Sequence, residues 1–527
     1  MKKFITISLI LCCTGCALFT ISCNQSFQDL NVNPNKPTQV PPSLLLTGIL
    51  SDMADLPGGM DERWDQYFLI NYSYYGNNRY DFGPGNDYYA TLKNVDKMVQ
   101  EASAGNTSLQ NPYHALSLFF KAYFFTKMSL EMGDIPMRDA LKGTNNLTPV
   151  YDSQKLVFQQ ALLWLDTANQ ELHQLIISGP SKPDGDFYFN GNLVQWQKIV
   201  NAFRLRLLIH LSKKINDPDL HIAQQFNTIV NNPSQYPLLQ SNDDNLQYVF
   251  IYPTNIYPRN PGNFGFNALR ENCSATYVGL LTQLHDPRVF VTSEPAQALV
   301  SAGVSATSFN AFVGADPGED LGTMYNKTNA GEYSLINRKR YYDTYTGEPC
   351  IQIGYAEQCF NIAEAINRGW IAGGPLGNAE AYYKQGIQAS WSFYQIPLSG
   401  QFTAYFLHPG ASLGTYDTYQ IPVDFTSYYN QSTVKYAGNN AMGLTQILQQ
   451  KYLTLFLHAG LEAYYQYRRT GVPNFTTGPG TGNSGRIAMR FQYPSEEKTA
   501  NAQHYQDALN RQFGGNDDIN GIMWILK

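Results

Sequence analysis

Cysteine is scarce past the start of the chain. Of seven cysteines, Cys12, Cys13 and Cys16 lie within the first 22 residues, leaving only Cys23, Cys273, Cys350 and Cys359 beyond them. With Cys23 modified, as argued below, at most one disulfide can form, which excludes a disulfide-built scaffold. Neither the cysteines nor the eight histidines show the spacing of a zinc site, and no two histidines stand as H-x-x-x-H. Charge is thin as well. Only 15% of residues are Asp, Glu, Lys or Arg, and a formal net charge of −6 excludes nucleic acid or an anionic membrane face as an expected partner. No low-complexity linker divides the 527 residues, and the 43% that are hydrophobic are spread throughout, so one large domain is credible. What is plentiful is the aromatic ring, with 37 Tyr and 29 Phe. Tyrosine combines an apolar face with a polar tip, as surfaces that stack on sugars or peptides require.

The first residues decide where the others work. Lys2 and Lys3 precede an uncharged run from Phe4 to Gln28 whose first half, to Cys13, is dominated by Phe, Ile, Leu and Cys. This is the pattern of a secretory signal peptide. The apolar part ends in Thr20-Ile21-Ser22 before Cys23, and the polar Asn24, Gln25 and Ser26 follow. We read residues 1–22 as a bacterial lipoprotein signal peptide, Cys23 as the lipidated first residue of the mature chain, residues 23–40 as a tether broken by Pro34 and Pro37, and residues 41–527 as a single ligand-binding domain. Several acyl chains hold a soluble domain stably at a membrane. Cys16 is the competing site, but its choice leaves Ala17 to Ser22 as an apolar tail. An uncleaved membrane anchor is the other alternative, since the run just spans a bilayer, although its Ser, Thr, Gly and Cys content suits that poorly. Loss of residues 1–22 removes Lys2 and Lys3, taking the formal charge from −6 to −8.

Helical periodicity then recurs along the chain. It is seen around Leu44 to Ala54, after Pro112 (Leu116, Phe119, Tyr123, Leu130), after Asp152 or Ser153 as N-cap (Leu162, Leu165, Ala168, Leu172, Leu175), and over Trp196 to Leu211. It returns in Tyr355 to Arg368, stopped by Gly369, in Ala379 to Tyr394, and in one long segment from Leu444 to Tyr467. The scaffold is mainly α. Between the helices lie passages rich in Gly, Pro, Asn and Tyr: Tyr72 to Tyr89, Tyr252 to Phe266, Asn310 to Tyr345 and Leu398 to Asn440. Loops longer than about 15 residues in a compact domain are usually functional.

Motifs in order along nearly the whole mature chain carry a family resemblance. Glu131-Met132-Gly133-Asp134-Ile135-Pro136 follows a helix, Tyr151-Asp152-Ser153-Gln154 opens the next, and Asn190-Gly191-Asn192 with Trp196-Gln197-Lys198 precedes Asn201-Ala202-Phe203-Arg204-Leu205-Arg206. Asp286-Pro287-Arg288, Tyr355-Ala356-Glu357, Ala363-Glu364-Ala365 and Tyr383 to Ser390 come next, followed by Gln450-Lys451, Glu462 and Arg468-Arg469-Thr470-Gly471-Val472-Pro473. Arg490, Tyr493-Pro494, Glu497, Asn501 and Trp524 complete the pattern. Together these resemble the SusD/RagB family, nutrient-binding lipoproteins of the Bacteroidetes outer membrane, in its SusD-like branch rather than the starch-binding founder.

The resemblance implies a SusD-like fold in which four tetratricopeptide-like helix pairs, with few short strands, carry long irregular loops that build a ligand face. It implies a cell-surface lipoprotein that binds an oligosaccharide and hands it to a SusC-type TonB-dependent transporter. An oligopeptide is the alternative ligand, and a surface glycoside hydrolase the alternative from another class. No strict repeat signature shows the four pairs by periodicity. Arg204, Arg206, Glu357, Glu364, Glu462, Arg468 and Arg469 read as ion pairs between packed helices rather than as catalytic groups.

No catalytic motif sits in a suitable context, so the chain is not expected to be an enzyme or to need a cofactor. Gly410-Ala411-Ser412-Leu413-Gly414 fits the nucleophile-elbow pattern, but no helix follows it. Gly480-Thr481-Gly482-Asn483-Ser484-Gly485 fits a dinucleotide loop, yet no apolar strand leads into it, and a flexible loop is expected. Asp316-Pro317-Gly318-Glu319-Asp320 offers hard oxygens for a structural calcium ion without the spacing of an EF-hand loop, and a solvated acidic turn is the first reading. Glycosidase carboxylate pairs can always be picked from 42 acidic residues.

Ligand contacts are expected from Tyr72, Tyr74, Tyr75, Asn77, Asn78, Arg79 and Tyr80, where aromatics interleave with amide and guanidinium groups in the region that the SusD-type fold gives to a ligand-contacting loop. Tyr257, Phe264, Tyr325, Tyr341 and Tyr342, from other irregular passages, are candidates for the opposite side of the same platform. This region departs from the founder's sequence, so the assignment is by region and chemistry. Stacking covers the C–H face of a sugar ring while Asn and Arg reach its hydroxyls.

Cys23→Ala is expected to release the protein from the membrane fraction and abolish metabolic acyl labelling. Labelling that survives in Cys23→Ala but disappears in Cys16→Ala moves the anchor to Cys16.

Overall fold

Helices begin where a side chain can accept an orphan N–H and the apolar period follows. In the computed structural model, which describes residues 40–104, 111–179 and 182–527, Asn111 accepts from His114 N and Pro112 takes the first helical position. Ser153 accepts from Leu156 N and Asn192 from Val194 N and Gln195 N. The signal peptide, Cys23 and the tether up to residue 39 lie outside the described residues. The principal helices are α1 (Pro42–Asp52), α2 (Tyr89–Ala102), α3 (Pro112–Met132), α4 (Gln154–Ser178), α5 (Leu193–His210), α6 (Ile222–Asn231) and α7 (Leu321–Asn329). They continue with α8 (Tyr355–Asn367), α9 (Ala379–Phe393), α10 (Ala441–Thr454) and α11 (Glu462–Thr470). Four pairs are packed: α1 on α2, α3 on α4, α5 on α6, and α8 on α9. The pairs join through α4 against α5 and α5 against α8, and α10 lies across α8 and α9. Residues Pro42–Lys527 form one compact unit.

The expected stop at Gly369 is present, with φ +74°, a conformation that glycine adopts without penalty. The expected single helix from Leu444 to Tyr467 is instead two. Leu457, Ala459 and Gly460 all have positive φ, at 62°, 59° and 52°, and this break separates α10 from α11. The freed backbone pairs with the strand Cys350–Ile353: the Ala459 N–H donates to Ile351 O at 2.8 Å. Helical spacing persists through the break because Tyr452, Leu455 and Ala459 all face one core.

Among the described residues, strands are short except for the two of one hairpin. The described strands are β1 (Phe68–Ile70), β2 (Ile135–Pro136), β3 (Tyr151–Asp152), β4 (Leu246–Tyr248), β5 (Glu271–Cys273), β6 (Cys350–Ile353), β7 (Ser399–Leu407) and β8 (Tyr416–Asp424). They form the antiparallel pairs β1–β5, β2–β3, β4–β6 and β7–β8. The nine-residue β7 and β8 occupy part of the passage read as irregular, in register from Ser399↔Asp424 to Leu407↔Tyr416. Alternation is present in Phe402, Ala404 and Phe406, separated by polar Thr403 and exposed Tyr405, and it ends at the buried Leu407. Gly410 to Gly414 is the tip of this hairpin, with Ser412 exposed and a strand following, so the strand–turn–helix context of a nucleophile is missing.

The scaffold's interior carries paired charge. Arg206 of α5 donates to Glu357 of α8 at 2.8 Å, and Arg469 of α11 donates to Glu364 of α8 at 2.9 Å. Glu462 receives His210 at 3.1 Å and Arg206 at 3.9 Å, while Arg204 pairs with Asp166 of α4 at 2.5 Å. Arg468 departs from the expectation. Among the described residues it reaches no carboxylate, but donates to the carbonyls of Met489 (2.8 Å) and Leu130 (2.7 Å) and stacks on Tyr464 and Tyr465 at 4.6 Å. Cys273, Cys350 and Cys359 are buried free thiols.

Burial alone raises the Glu364 carboxyl, but Arg469 and Arg368 outweigh it and hold it at about 2, below its ordinary 4.5. Its contribution is therefore complete above pH 4.5 and is lost as pH falls from there towards 2. Glu364→Ala strands the buried Arg469 and is expected to cost about 3–5 kcal/mol, read as a lower urea midpoint at unchanged slope. A midpoint equal to wild type removes this pair from the account.

Candidate ligand-binding platform

The pairing of β1 with β5 joins segments two hundred residues apart, in the register Phe68↔Cys273, Leu69↔Asn272, Ile70↔Glu271. The contact continues one step outward: Asn71 N donates to Arg270 O at 3.1 Å, and Asn71 Nδ2 to Leu269 O at 3.0 Å. Tyr72 therefore leaves its strand beside Arg270. On the same framework Leu69 packs with Ala315, Met324 and Tyr333 in a small apolar cluster separate from the main core. Met324 belongs to α7, and Asn272 Nδ2 donates to Thr328 Oγ1 of the same helix at 2.9 Å. Helix α7 is thus held to β5, which sets Tyr325 against Tyr72 with ring centroids 5.5 Å apart.

Arg270 lies over both rings, with Cζ 4.9 Å from the Tyr72 centroid and 5.7 Å from that of Tyr325. Tyr75 is 6.2 Å from Tyr72, and Tyr74 meets Tyr75 edge-on at 5.2 Å. Tyr74 is 83% exposed, Leu269 55% and Tyr72 41%, while Tyr75 and Tyr325 are half-buried. Four tyrosines and one guanidinium thus form a continuous outward-facing platform with an apolar edge at Leu269. Stacking surfaces of this kind bind rings without reading charge.

The loop that presents these rings is closed by an amide acting as a strand. Asn78 Oδ1 accepts from Ile70 N at 2.9 Å and Asn78 Nδ2 donates to Ile70 O at 2.8 Å. Arg63 spans the base, donating to Asn77 O at 3.0 Å, and a Cβ on Gly76 (φ +126°) would sit 2.7 Å from Arg63 Nη1. Only glycine suits both the conformation and the approach. Tyr80 ends the loop: its N–H donates to Thr481 O at 2.8 Å and its hydroxyl to Trp64 O at 2.7 Å. The Gly480–Gly485 stretch is thereby a fixed support rather than a flexible loop, with Asn483 N donating to Asp81 Oδ1 at 2.6 Å.

The expected contact residues therefore divide. Tyr72, Tyr74, Tyr75 and Tyr325 come together on the platform. Asn77 and Arg79 are exposed beside it, Asn77 accepting from Arg79 N at 2.9 Å and Arg79 pairing with Asp81 at 2.5 Å. Asn78, Tyr80, Tyr257, Tyr341 and Tyr342 are corrections, because all five are buried. Asn78 and Tyr80 build the loop. Tyr257 packs edge-on to Phe250 at 4.9 Å, Tyr341 meets Phe456 at 6.2 Å, and Tyr342 donates to Glu271 Oε2 at 2.8 Å. Burial pushes the hydroxyls of Tyr80, Tyr257, Tyr341 and Tyr342 well above the phenol range, so they remain neutral. Half-buried Phe264 packs against Tyr342 at 5.9 Å, away from the platform rings it was expected to join. Arg270 and Leu269 are the additions. Nothing local in Ala268-Leu269-Arg270 marks them, and only the strand pairing brings them here.

The acidic turn is committed to its own structure. Asp316 Oδ1 accepts from Gly318 N at 2.8 Å, Glu319 pairs with Lys327 and accepts from Tyr333, and Asp320 caps α7 through Thr323 N at 3.0 Å. Among the described residues no group of three or more His, Cys, Asp or Glu side chains is arranged to hold a metal ion. None of their helices is long and apolar enough to cross a membrane.

Comparisons with known proteins cover most of the chain. The SusD-like family model, described as starch-binding and associating with the outer membrane, matches residues 34–494. A SusD homologue from Bacteroides fragilis is similar at 34% identity with a TM-score of 0.79, covering 93% of this chain and 100% of its own. A Bacteroides vulgatus protein described as an outer-membrane protein involved in nutrient binding is similar at 31% identity and TM-score 0.77, and a second B. fragilis SusD homologue at 31% and 0.75, each with the same coverage. No curated protein matches the chain.

Asn78→Ala leaves both backbone groups of Ile70 without their side-chain partner. We expect a loss of about 1–3 kcal/mol and faster hydrogen exchange at the Ile70 amide, with the ion pairs of the scaffold unchanged. Wild-type protection at Ile70 contradicts this role for Asn78.

Proposed function

The chain belongs to the SusD-like family, and from that premise we propose that it is a lipoprotein of the outer-membrane surface that captures an oligosaccharide on the tyrosine platform. In this reading Cys23 carries the lipid, residues 41–527 are the ligand-binding domain, and the captured glycan passes unaltered to a SusC-type TonB-dependent transporter. The observation that carries the ligand reading is the outward-facing set of four tyrosines around Arg270. The family's starch-binding description and the nutrient-binding description of the B. vulgatus relative support it.

The chemistry follows from the geometry. Sugar rings have C–H faces that lie on tyrosine faces, and Tyr325, Tyr72, Tyr75 and Tyr74 offer several such faces in a row, with neighbouring centroids 5.5, 6.2 and 5.2 Å apart. Arg270 and Asn77 supply the few polar groups that orient a ligand on an apolar surface. Arg79 is held by Asp81, so Asn77 is the freer donor of the two.

A glycan and peptide array on the soluble chain from Gln25 onward identifies the ligand, and titration then locates it. Tyr72→Ala, Tyr74→Ala and Tyr325→Ala are each expected to cost about 1–3 kcal/mol of binding, roughly 5- to 150-fold in Kd, with folding unchanged. Tyr257→Ala is expected to lower stability, by about 3–5 kcal/mol as for other buried aromatics. The recovered ligand should be chemically intact. Wild-type affinity in all three platform variants removes the ligand from this surface, a peptide hit without a glycan hit replaces the ligand class, and turnover that co-purifies with the protein and is lost on a single carboxylate or Ser412 substitution overturns binding without catalysis.

A further inference from the structure

A groove of roughly 630 Å³ lies between residues 240–243 and the end of α9 with its exit, Gln395 to Leu398, and it shares no residue with the tyrosine platform. We propose that this groove is a second binding site, for a neutral oligosaccharide. Its volume lies within the range of about 300–1,000 Å³ usual for small-molecule sites.

The walls are fixed before any ligand arrives. Asn242 Nδ2 donates to Ala389 O of α9 at 2.9 Å, tying the 240–243 turn to the helix. Asp244 accepts from Gln240 N at 2.7 Å and from Lys198 Nζ at 2.8 Å, which holds the turn from behind. Against this rigid frame, the side-chain amides of Gln240, Gln388 and Gln395 line the groove without a hydrogen-bond partner among the described residues. Each such amide donates and accepts from adjacent atoms, which matches the paired hydroxyls of a sugar.

The remaining lining fits the same ligand. Pro397 and the exposed Leu398 give an apolar stretch beside the amides, over the buried Ile396 and Tyr355, so a pyranose C–H face and its hydroxyl edge both have counterparts. Charge argues against an anionic ligand: no Lys, Arg or His lines the groove, and its one charged liner is Asp243. Gln395 has φ +59° at the exit of α9, a left-handed conformation that a non-glycine residue rarely adopts. The side chain retained there is one of the three free amides.

The groove sets its own ligand class and shares no residue with the platform, so the two fail separately. The test removes the platform first. Tyr74→Ala/Tyr325→Ala is titrated calorimetrically with maltohexaose, cellohexaose and N-acetylchitohexaose, then compared with the same variant carrying Gln388→Ala and Gln395→Ala. We expect residual one-to-one binding of at least one hexasaccharide without the platform, weakened about tenfold or more by the two groove substitutions at an unchanged melting temperature. The proposal is overturned if the platform variant binds none of the three, or if its residual binding survives the groove substitutions. Wild-type affinity in the platform variant, lost with the groove substitutions, keeps the groove and refutes the platform.

Discussion

The tyrosine platform depends on three backbone pairings, Phe68 to Ile70 against Cys273 to Glu271. Among the described residues they are the one sheet that links the entry to the first irregular passage with the segment two hundred residues later, and each consequence follows outward from them. One step past the ladder they set Tyr72 beside Arg270. Through Asn272 and Thr328 they fix helix α7 and so Tyr325. Through Asn78 clasping Ile70 they close the loop that lifts Tyr74 and Tyr75 into solvent. A three-residue strand pair is weak in isolation. It persists because Phe68 and Ile70 enter the main core while Leu69 anchors the smaller cluster on the opposite side.

Beneath that face the scaffold solves a different problem. Helices α3 and α5 are buried on almost every side, so their polar residues must be satisfied inside the protein. Arg206, Arg469, Glu357, Glu364 and Glu462 answer one another across α5, α8 and α11, and Lys451 of α10 donates to Asn361 of α8 at 2.7 Å. Such pairs are costly to break and add little over an apolar replacement, but they fit only one register of the helices. Fixed register in the scaffold keeps the loops that leave it at fixed positions.

Much of this was legible in the sequence because it is local or periodic. The helices around Leu116, Leu162, Trp196 and Ala379, the cap at Ser153 and the stop at Gly369 are set by residues within a few positions of one another. The resemblance carried by the Gly133-Asp134, Tyr355-Ala356-Glu357 and Arg468-Arg469-Thr470-Gly471 motifs led to the fold that the solved relatives share. Legibility failed where a distant partner decides. Tyrosine composition cannot separate exposed Tyr74 from buried Tyr80 six residues later, since both sit in the same polar, aromatic stretch and differ only in whether Trp64 and Thr481 lie opposite. Tyr257, Tyr341 and Tyr342 were drawn into the site by chemistry that serves a core equally well. Leu457 to Gly460 broke a helix whose apolar spacing never falters, because strand β6 claims its backbone. Arg270, the cation of the platform, had no local signature.

If the paired segments hold a stacking surface for a glycan, a crystal structure of the protein with the best glycan found by array screening will show sugar rings stacked on Tyr74 and on Tyr72 or Tyr325 at van der Waals distance, about 3.5–4 Å, with Arg270 or Asn77 hydrogen-bonded to ring hydroxyls. A glycan bound elsewhere, with those four tyrosines bare, contradicts it.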